Sequence, residues 1–501
     1  MMVNNIKEKK MNTFLLIIGI ISVALVNIKS IFCDYGVDNA YALATSYRYL
    51  QGDRLFGEMN EPHMISSFLL NIVLKVFSFF SSDYVGVTIF CQCIGVILYG
   101  IAGYFLYLKI RNTVSKRFLI IIITLFLVIR AKHTVFPEFS NMMIIFSVLL
   151  WITLTEYLKD ESKIYWLVIA SLCTALLVLS YQTTLLVFVS TIVASLFFVK
   201  RKVRFLLGYM MPCFISGMLY LMIIGFRIGF SNLLPNILFV FSSDSAHNDG
   251  FFNMSNLLRF DLAYGLTFLY IVLMVVTLLF VVKMSYEFRK MYVLGIVISL
   301  ATFLSVVAVT NLSFNASFSY LILGVIVALM AINHINNKNV IINSLVLTFA
   351  AAMIIQRGIV VMGYEEGTIF ECDNYVRVGP NKGIVTSIEN CNRLKYSYED
   401  WNTYVDEDDT VLAVGGWIID SSVYLNKRIQ VSHYSVMCNP TYNEKLEEYW
   451  TKYPRKHPNI IAVSGYRGTK EIGDDTWIMK YIDEYYTLED IGEYWLFYHK
   501  K

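Results

Sequence analysis

The 501-residue chain has few charged residues for its length. Asp, Glu, Lys and Arg make up 16% of it, whereas 56% of the residues are hydrophobic and the mean hydropathy is +0.56. So little charge excludes an ordinary soluble enzyme. The net charge of +3 is spread along the chain and indicates neither a nucleic-acid partner nor a trap for acidic substrates. The composition predicts a polytopic α-helical membrane protein.

The chain also lacks the local motifs of many soluble catalysts. It has no CxxC pair and no His/Cys cluster with zinc spacing, so a structural metal is not indicated. It has no glycine-rich phosphate loop, and GYRGTKE at Gly465 is typical of a turn. Cys372 and Cys391 lie in the C-terminal part, where a disulfide is permitted, and the bridged and unbridged states both stay open.

Long apolar runs are what the sequence has in abundance. A membrane span needs roughly 20 apolar residues, and eleven runs meet this criterion. They begin near residues 12, 84, 118, 139, 164, 184, 204, 263, 290, 316 and 339. Basic connectors follow at Lys109–Arg117, Lys200–Arg204 and Lys283–Lys290, after a basic N-terminus. The positive-inside rule therefore predicts a cytoplasmic N-terminus and a first run that is retained as a span.

This topology holds only if His63–Phe80 does not cross the membrane, and the sequence therefore predicts an interfacial helix there. The outer loops are then residues 33–83, 131–138 and 226–262. After Gly363 the apolar runs shorten to strand length. Thr410–Gly416 and Asn459–Gly465 are predicted strands with a helix between them. We expect a transmembrane domain over residues 1–356 and a small extracytoplasmic α/β domain over residues 357–501.

The first outer loop is rich in acids. A helical turn would place Asp34 and Asp38 on one face, and an extended segment would separate them. Asp38 is either the N-cap of a helix that Gly52 ends or a general base that takes a proton from a hydroxyl. Asp34 would then tune that base or help to hold a divalent cation.

The same loop continues with Glu61, Pro62 and His63. Proline suits the first turn of a helix, because a missing N–H is tolerated there. In one interpretation Glu61 complements the helix dipole and His63 lies at the membrane surface. In the other, both side chains face the cavity of Asp38 and bind a sugar hydroxyl, a metal or a phosphate.

Two further outer segments carry charge at the membrane edge. Arg130 and Lys132 end the third span and Glu138 begins the fourth. Because charge near the hydrocarbon is costly, these residues are candidates for substrate binding. The alternative is that both bases extend to the interface and Glu138 starts a helix. The segment Phe226–Asp261, with His247, is either a lid over a lipid-linked substrate or a plain connector.

These features together resemble a known enzyme family. An acid followed by AYALATSYRYLQGD, then EPH, an interfacial helix, a PEF turn and an outer C-terminal domain resembles the C-type (GT-C) integral membrane glycosyltransferases. The resemblance is to the branch that contains protein O-mannosyltransferases and lipid A aminoarabinose transferases. Asp38 occupies the position of the family's catalytic base. Asn39 and Ala40 follow where the family often has a glutamate, so Asp34 or Glu61 would supply the second acid.

The resemblance implies transfer of a sugar from a polyprenyl-phosphate donor to an extracytoplasmic acceptor hydroxyl, with inversion at the anomeric carbon. Glu138 resembles the family's second-loop acid, and Arg130 or Lys132 would meet the donor phosphate. Since the branch has metal-dependent and metal-independent members, a divalent cation such as Mg²⁺ or Mn²⁺ stays open. Its candidate ligands are Asp34, Asp38, Glu61 and Glu138.

Two other functional classes stay open. A polymerase or ligase of lipid-linked polysaccharide would also have many spans and a large outer loop, but we expect an arginine-rich loop late among its spans. A flippase or transporter would place charges at mid-membrane within broken helices. The conspicuous acids of this chain lie at the ends of spans instead, which favours the glycosyltransferase.

Overall fold

A computed structural model of the chain is predominantly helical. It describes residues 2–59, 64–242, 274–275, 277–279, 281–307, 318–336, 340–362, 366–415, 430–434 and 445–501. Glu61, His63 and His247 lie outside these residues. The chain divides into two compact units. The first consists of Met1–Ile31, Gly95–Leu219 and Asp249–Val361, and the second of Phe32–Ile94, Tyr220–Asn248 and Met362–Lys501.

The helices in the described part follow the predicted apolar runs. They are α1 (Met2–Phe32), α2 (Val37–Gln51), α3 (Met64–Ser78), α4 (Val87–Ile110), α5 (Lys116–Val128), α6 (Phe139–Lys159), α7 (Ile164–Ser180), α8 (Leu185–Leu196), α9 (Lys202–Ile228), α10 (Phe230–Ser242), α11 (Tyr286–Val307), α12 (Ile322–Asn336), α13 (Val340–Ile359), α14 (Ile388–Tyr404), α15 (Lys445–Lys452) and α16 (Trp477–Tyr485). Ten of the eleven predicted spans coincide with a helix. The run predicted near residue 263 begins outside the described residues.

Seven helices in the described part are long and apolar enough to cross a membrane, which confirms a polytopic helical membrane protein. The helices α5, α7 and α8 have only 13, 17 and 12 residues, fewer than the roughly 20 that a perpendicular span needs. Hydropathy records an apolar run but not where the backbone leaves the helix. Between α7 and α8, a short 3₁₀ turn at Gln182–Thr184 divides the chain.

The apolar helices differ in what covers them. On α1 the side chains of Phe14, Ile20 and Leu25 are 58%, 61% and 62% exposed, as expected for a helix that faces lipid. In contrast, α6 is buried along nearly its whole length, with Trp151 fully enclosed and its indole N–H bonded to the carbonyl oxygen of Met291 at 2.9 Å. The core of the first unit therefore surrounds α6.

The predicted interfacial segment forms helix α3, and it is amphipathic. Leu70 and Leu74 are fully buried, whereas Ile72 is half exposed. The side-chain amide of Asn71 donates to the carbonyl oxygen of Ser46 on α2 at 3.2 Å, so the two helices of the first outer loop are joined. The position of α3 at the membrane surface stays a prediction.

The C-terminal residues form the predicted small α/β fold. Its strands are β1 (Val360–Met362), β2 (Glu366–Thr368), β3 (Asn374–Tyr375), β4 (Val385–Thr386), β5 (Thr410–Val414), β6 (Gln430–Val431), β7 (Ile460–Tyr466), β8 (Thr469–Lys470), β9 (Tyr486–Ile491) and β10 (Trp495–Lys500). The main sheet has the order β6-β5-β7-β10-β9, with β8 paired to β7. The predicted strands β5 and β7 are parallel, and β7 with β10 and β10 with β9 are antiparallel.

Both faces of this sheet are covered, because successive side chains of each strand point to opposite faces. On β7, Ile461 and Val463 pack with Leu446 and Trp450 of α15. The alternate residues Ile460 and Ala462 pack on the other face with Trp401 of α14. The buried strands read as continuous apolar runs for this reason.

Candidate functional site

The candidate residues fall into separate parts of the structure. Asp34 and Asp38 belong to the second unit, and Arg130, Lys132 and Glu138 belong to the first. The three other candidates, Glu61, His63 and His247, are outside the described residues.

Asp34 and Asp38 do not share a helical turn. The first helix ends at Phe32, Asp34 lies in a non-helical segment, and α2 begins at Val37. The extended alternative for this acid pair is therefore the correct one. Asp34 is fully buried, and its backbone carbonyl oxygen accepts a hydrogen bond from the side-chain amide of Gln92. This bond ties the start of the loop to α4.

Asp38 is not the N-cap of α2, so that alternative was wrong. The cap is Gly36, with an extended backbone, and Asp38 lies in the first helical turn, half-buried. The cap lies two residues earlier than predicted because the helix already begins at Val37. A carboxylate in the first turn is stabilised in its charged form by the helix dipole. The predicted end at Gly52 is confirmed, with φ at +104° and the backbone N–H bonded to the carbonyl oxygens of Arg48 and Tyr49.

The turn after Gly52 forms a buried charge triad that sequence reasoning missed. Asp53 accepts from Arg48 Nε at 2.8 Å and from Lys456 Nζ, and these three side chains are at most 9% exposed. Burial lowers the pKa of Lys456, and the charge of Asp53 opposes this shift. The hydroxyl of Tyr449 also donates to the carbonyl oxygen of Glu58 at 2.9 Å. The C-terminal sheet domain is thereby tied to the segment between α1 and α4.

The first unit contains a second group of charges, at the start of α6. Glu138 is fully buried and caps this helix: its carboxylate accepts from the backbone N–H of Ser140 at 2.6 Å and of Asn141 at 3.0 Å. Burial raises the pKa of Glu138, and the positive charge of Lys132 and these hydrogen bonds oppose the shift. The interpretation of Glu138 as a helix-start acid is thus correct for its local structure.

Lys132 adopts an uncommon backbone conformation. Its φ is +49° and that of His133 is +60°, in the left-handed region that costs about 1–3 kcal/mol for residues other than glycine and is frequent at functional sites. Lys132 Nζ lies 5.6 Å from the centre of the Phe139 ring, and the side chain is half-buried. Burial lowers the pKa of Lys132, and Glu138 opposes this shift. The surrounding fold holds the backbone of Lys132 in this conformation at the cost of strain.

Arg130 does not extend to the membrane surface, because it is 1% exposed. Its guanidinium group lies 5.0 Å from the centre of the Tyr99 ring and donates to Asn27 Oδ1 and to the carbonyl oxygen of Leu127. The hydroxyl of Tyr99 in turn donates to Asn141 Oδ1 at 2.7 Å. The interface alternative was therefore wrong for Arg130, since packing against an aromatic ring and two acceptors enclosed it.

Two further cations join this group, and sequence reasoning did not single them out. Lys29 and Arg357 are both buried, at the ends of α1 and α13. Burial, followed by the charges of Arg357 and Lys29, holds the pKa of His133 well below its ordinary value. Lys29 and Arg357 each lie at the end of an apolar run, which is the same sequence signal that identified Arg130. We call Lys29, Arg130, Lys132, His133, Glu138 and Arg357 the span-end cluster.

The described residues do not form a metal site. Within them, no group of three or more His, Cys, Asp or Glu side chains is placed to hold an ion. Both carboxylate oxygens of Glu138 already serve as helix-cap acceptors. Among the cysteines that the structure describes, Cys372 and Cys391 are not joined by a disulfide, and each thiol donates to a backbone carbonyl oxygen.

No family model and no curated protein matches the chain. Its fold is similar to solved structures of an oligosaccharyltransferase from Archaeoglobus fulgidus. The complex with an inhibitory peptide and a dolichol-phosphate has 12% identity and a TM-score of 0.47, over 91% of this chain and 70% of the other. The apo form has 12% identity and a TM-score of 0.48, over 90% and 69%.

A third structure, with zinc and sulfate, has 12% identity and a TM-score of 0.46, over 90% of this chain and 68% of the other. At this identity and these TM-scores the likeness assigns no activity to the chain.

Proposed function

We propose that the chain is a membrane glycosyltransferase that transfers a sugar from a polyprenyl-phosphate donor to a hydroxyl of an extracytoplasmic acceptor, with Asp38 as general base. The observation that carries the proposal is the span-end cluster. Lys29, Arg130 and Arg357 are buried at the ends of apolar helices, where charge is costly and is retained mainly for function. Buried cations of this kind suit the phosphate of a lipid carrier.

The cluster offers the donor phosphate fixed positive charge. Arg130 is held by an aromatic ring and two acceptors, so its side chain need not be ordered again when a ligand binds. As the sugar departs, negative charge grows on the phosphate oxygen. Cations in a site from which water is excluded stabilise that charge strongly.

Asp38 supplies the proton acceptor in this proposal. It is half-buried in the first turn of α2, where the helix dipole favours the ionised form that a base requires. Its carboxylate takes the proton of the acceptor hydroxyl while the hydroxyl oxygen bonds to the anomeric carbon. The bond from that carbon to the phosphate oxygen breaks, and polyprenyl phosphate leaves with the electron pair. A single displacement of this kind inverts the anomeric centre.

Asp34 acts as a positioning residue. It is buried, and the bond from Gln92 to its carbonyl oxygen fixes the short segment between α1 and α2. The proposed orientation has the N-terminus in the cytoplasm, so that this segment and the C-terminal sheet domain are extracytoplasmic. The alternating basic connectors support this orientation.

The test is transfer by the full chain in lipid nanodiscs, with a panel of radiolabelled polyprenyl-phosphate sugars and cell-envelope acceptors. We expect Asp38→Asn to lower kcat by about 10²–10⁴-fold, the usual contribution of a general base. The matched control is Asp83→Asn, at an exposed acid of the same loop, which should transfer at the rate of the unaltered chain. Transfer by Asp38→Asn at the control rate contradicts the role of Asp38.

A further inference from the structure

A basic pocket lies within the second unit, between the end of α2 and the segment that follows α15. It has a volume of about 430 Å³ and is lined from both sides by charged and polar side chains. This volume falls in the range of about 300–1,000 Å³ that is common for small-molecule sites. We call it the outer pocket.

The charges of the outer pocket are unequal. The cations that line it are Arg48, Arg54, Lys452, Arg455 and Lys456. The acids are Asp53 and Glu58, so five positive and two negative charges give a formal charge of +3. Concave surfaces with one sign of charge concentrate ligands of the opposite sign. The occupant that the charge favours is therefore an anion.

Within the pocket the cations have different tasks. Arg48 and Lys456 are buried and engaged with Asp53, and Arg54 bonds the carboxylate of Glu58 at 2.6–3.0 Å, so both acids are already neutralised. The hydrogen bonds from Arg54 hold the pKa of Glu58 below its ordinary value, although burial, the largest single effect, raises it. Glu58 therefore remains a charged partner of Arg54.

Two cations are left over at the mouth of the pocket. Lys452 and Arg455 are exposed. Lys452 Nζ donates to Asn236 Oδ1 at 2.9 Å, which orients the ammonium group without neutralising it. Arg455 forms no ion pair with another residue in the described part of the chain. Both charges are available to a ligand.

The rest of the lining suits a sugar. Tyr47 and Tyr453 contribute aromatic rings, and Gln51 and Gln430 contribute side-chain amides. Aromatic faces pack against the apolar side of a sugar ring, and amides bond its hydroxyl groups. Arginine in addition binds a carboxylate or phosphate through two parallel hydrogen bonds.

We propose that the outer pocket binds an anionic saccharide, one that carries a carboxylate or a phosphate, and that Lys452 and Arg455 recognise its charge. This assignment rests on the proposed function in one respect, because the saccharide is then the acceptor or a segment of the acceptor chain. The pocket selects a charged envelope glycan over a neutral one. The residues that would bind this saccharide are not those that would bind the donor, since none of the residues that line the outer pocket belongs to the span-end cluster.

The experiment is calorimetric titration of the full chain in zwitterionic nanodiscs, without donor. The probes are cellobiose, cellobiouronic acid, mannose 6-phosphate and inorganic phosphate. We expect at least one of the two charged saccharides to bind at least tenfold more tightly than cellobiose, with an affinity that falls as salt screens the charges. Inorganic phosphate should bind more weakly than the sugar phosphate, because it lacks the ring that the tyrosines contact. Preference for cellobiouronic acid assigns a carboxylate, and preference for mannose 6-phosphate assigns a phosphate.

The double variant Lys452→Gln/Arg455→Gln should bind the preferred saccharide about tenfold more weakly, a change that corresponds to about 1.4 kcal/mol. The control is Lys480→Gln, at an exposed lysine of α16 outside the pocket, which should bind normally. Equal binding of neutral and charged saccharides, no binding of either charged saccharide, or normal binding by the double variant overturns the proposal.

The two proposals fail in different ways. Asp38→Asn should lose transfer and keep saccharide binding, because Asp38 does not line the outer pocket. If Asp38→Asn transfers normally while the double variant loses binding, the catalytic assignment is wrong and the pocket stands. If Asp38→Asn is inactive and the double variant binds normally, the pocket assignment is wrong and the transferase stands.

Discussion

Substitution of Asp53 by asparagine should destabilise the second unit strongly. The change removes the negative charge between two buried cations, Arg48 and Lys456, and keeps the size of the side chain. At 2.8 Å and an effective dielectric constant of about 20, the attraction between Arg48 and Asp53 is about 6 kcal/mol before desolvation. Removing one partner of such a buried pair typically costs about 3–5 kcal/mol, because the other charge stays buried.

The loss should depend on pH. Burial lowers the pKa of Lys456, and Asp53 opposes that shift, so the pKa of Lys456 falls further in Asp53→Asn. Over the pH range between the folded and unfolded pKa values, the unfolded state binds more protons at this lysine, and stability rises with pH. The difference between the variant and the unaltered chain should therefore shrink as the pH rises through this range. A residual penalty from Arg48 remains, since its guanidinium group stays charged.

Tryptophan fluorescence during urea titration measures this stability in the full chain. Five of the seven tryptophans follow residue 400. One of them, Trp450, donates to the carbonyl oxygen of Ser432. The hydroxyl of Ser432 in turn donates to the carbonyl oxygen of Lys456. The control is Asp474→Asn, which breaks an exposed pair with Lys470 and should change stability little. An Asp53→Asn variant as stable as this control, or a loss that grows with pH, refutes the reasoning.

Two further substitutions test the packing of each unit. Gly95→Ala on α4 places a Cβ 1.7 Å from the carbonyl oxygen of Val135. It should therefore reduce the yield of folded protein in detergent, measured by size-exclusion chromatography. The control is Gly100→Ala, whose Cβ meets no atom within 4 Å and which should leave the yield unchanged. Asp400→Ala leaves the backbone N–H groups of Glu493 and Tyr494 without their acceptor. It should lower the midpoint of urea unfolding by an amount that corresponds to about 1–3 kcal/mol. An unchanged midpoint contradicts this prediction.

Elements whose signal is local were predictable. The apolar runs predicted the helices, and the short continuous apolar runs of β5 and β7, each ended by glycine, predicted two strands of the C-terminal sheet. Gly52 gave the end of α2, because only a residue without a Cβ adopts its left-handed backbone cheaply. The N-cap at Asp38 was wrong because α2 begins at Val37, with Gly36 as its cap. A preferred cap side chain contributes only about 1 kcal/mol, which is too little to decide where the helix begins.

The candidate site was only partly predictable for a physical reason. The sequence identifies Arg130, Lys132 and Glu138 as candidates because charge at the edge of the membrane is costly. This cost depends only on the residue type and its solvent. Their surroundings are different: Arg130 is enclosed by Tyr99 and Asn27, which lie 31 and 103 residues away in the chain. Contacts at such separations depend on how the helices pack.

The sequence by itself therefore determined that this protein is a helical membrane protein with acids and bases at the ends of its spans and a small α/β domain after them. Composition and periodicity are enough for that, because the bilayer and the backbone impose them on every segment separately. Only the tertiary structure decided that Asp53 joins Arg48 to Lys456, which is 403 residues away, and that Lys452 and Arg455 complete a basic pocket there. Such partners are brought together by the packing of distant parts of the chain, and no local sequence pattern predicts that packing.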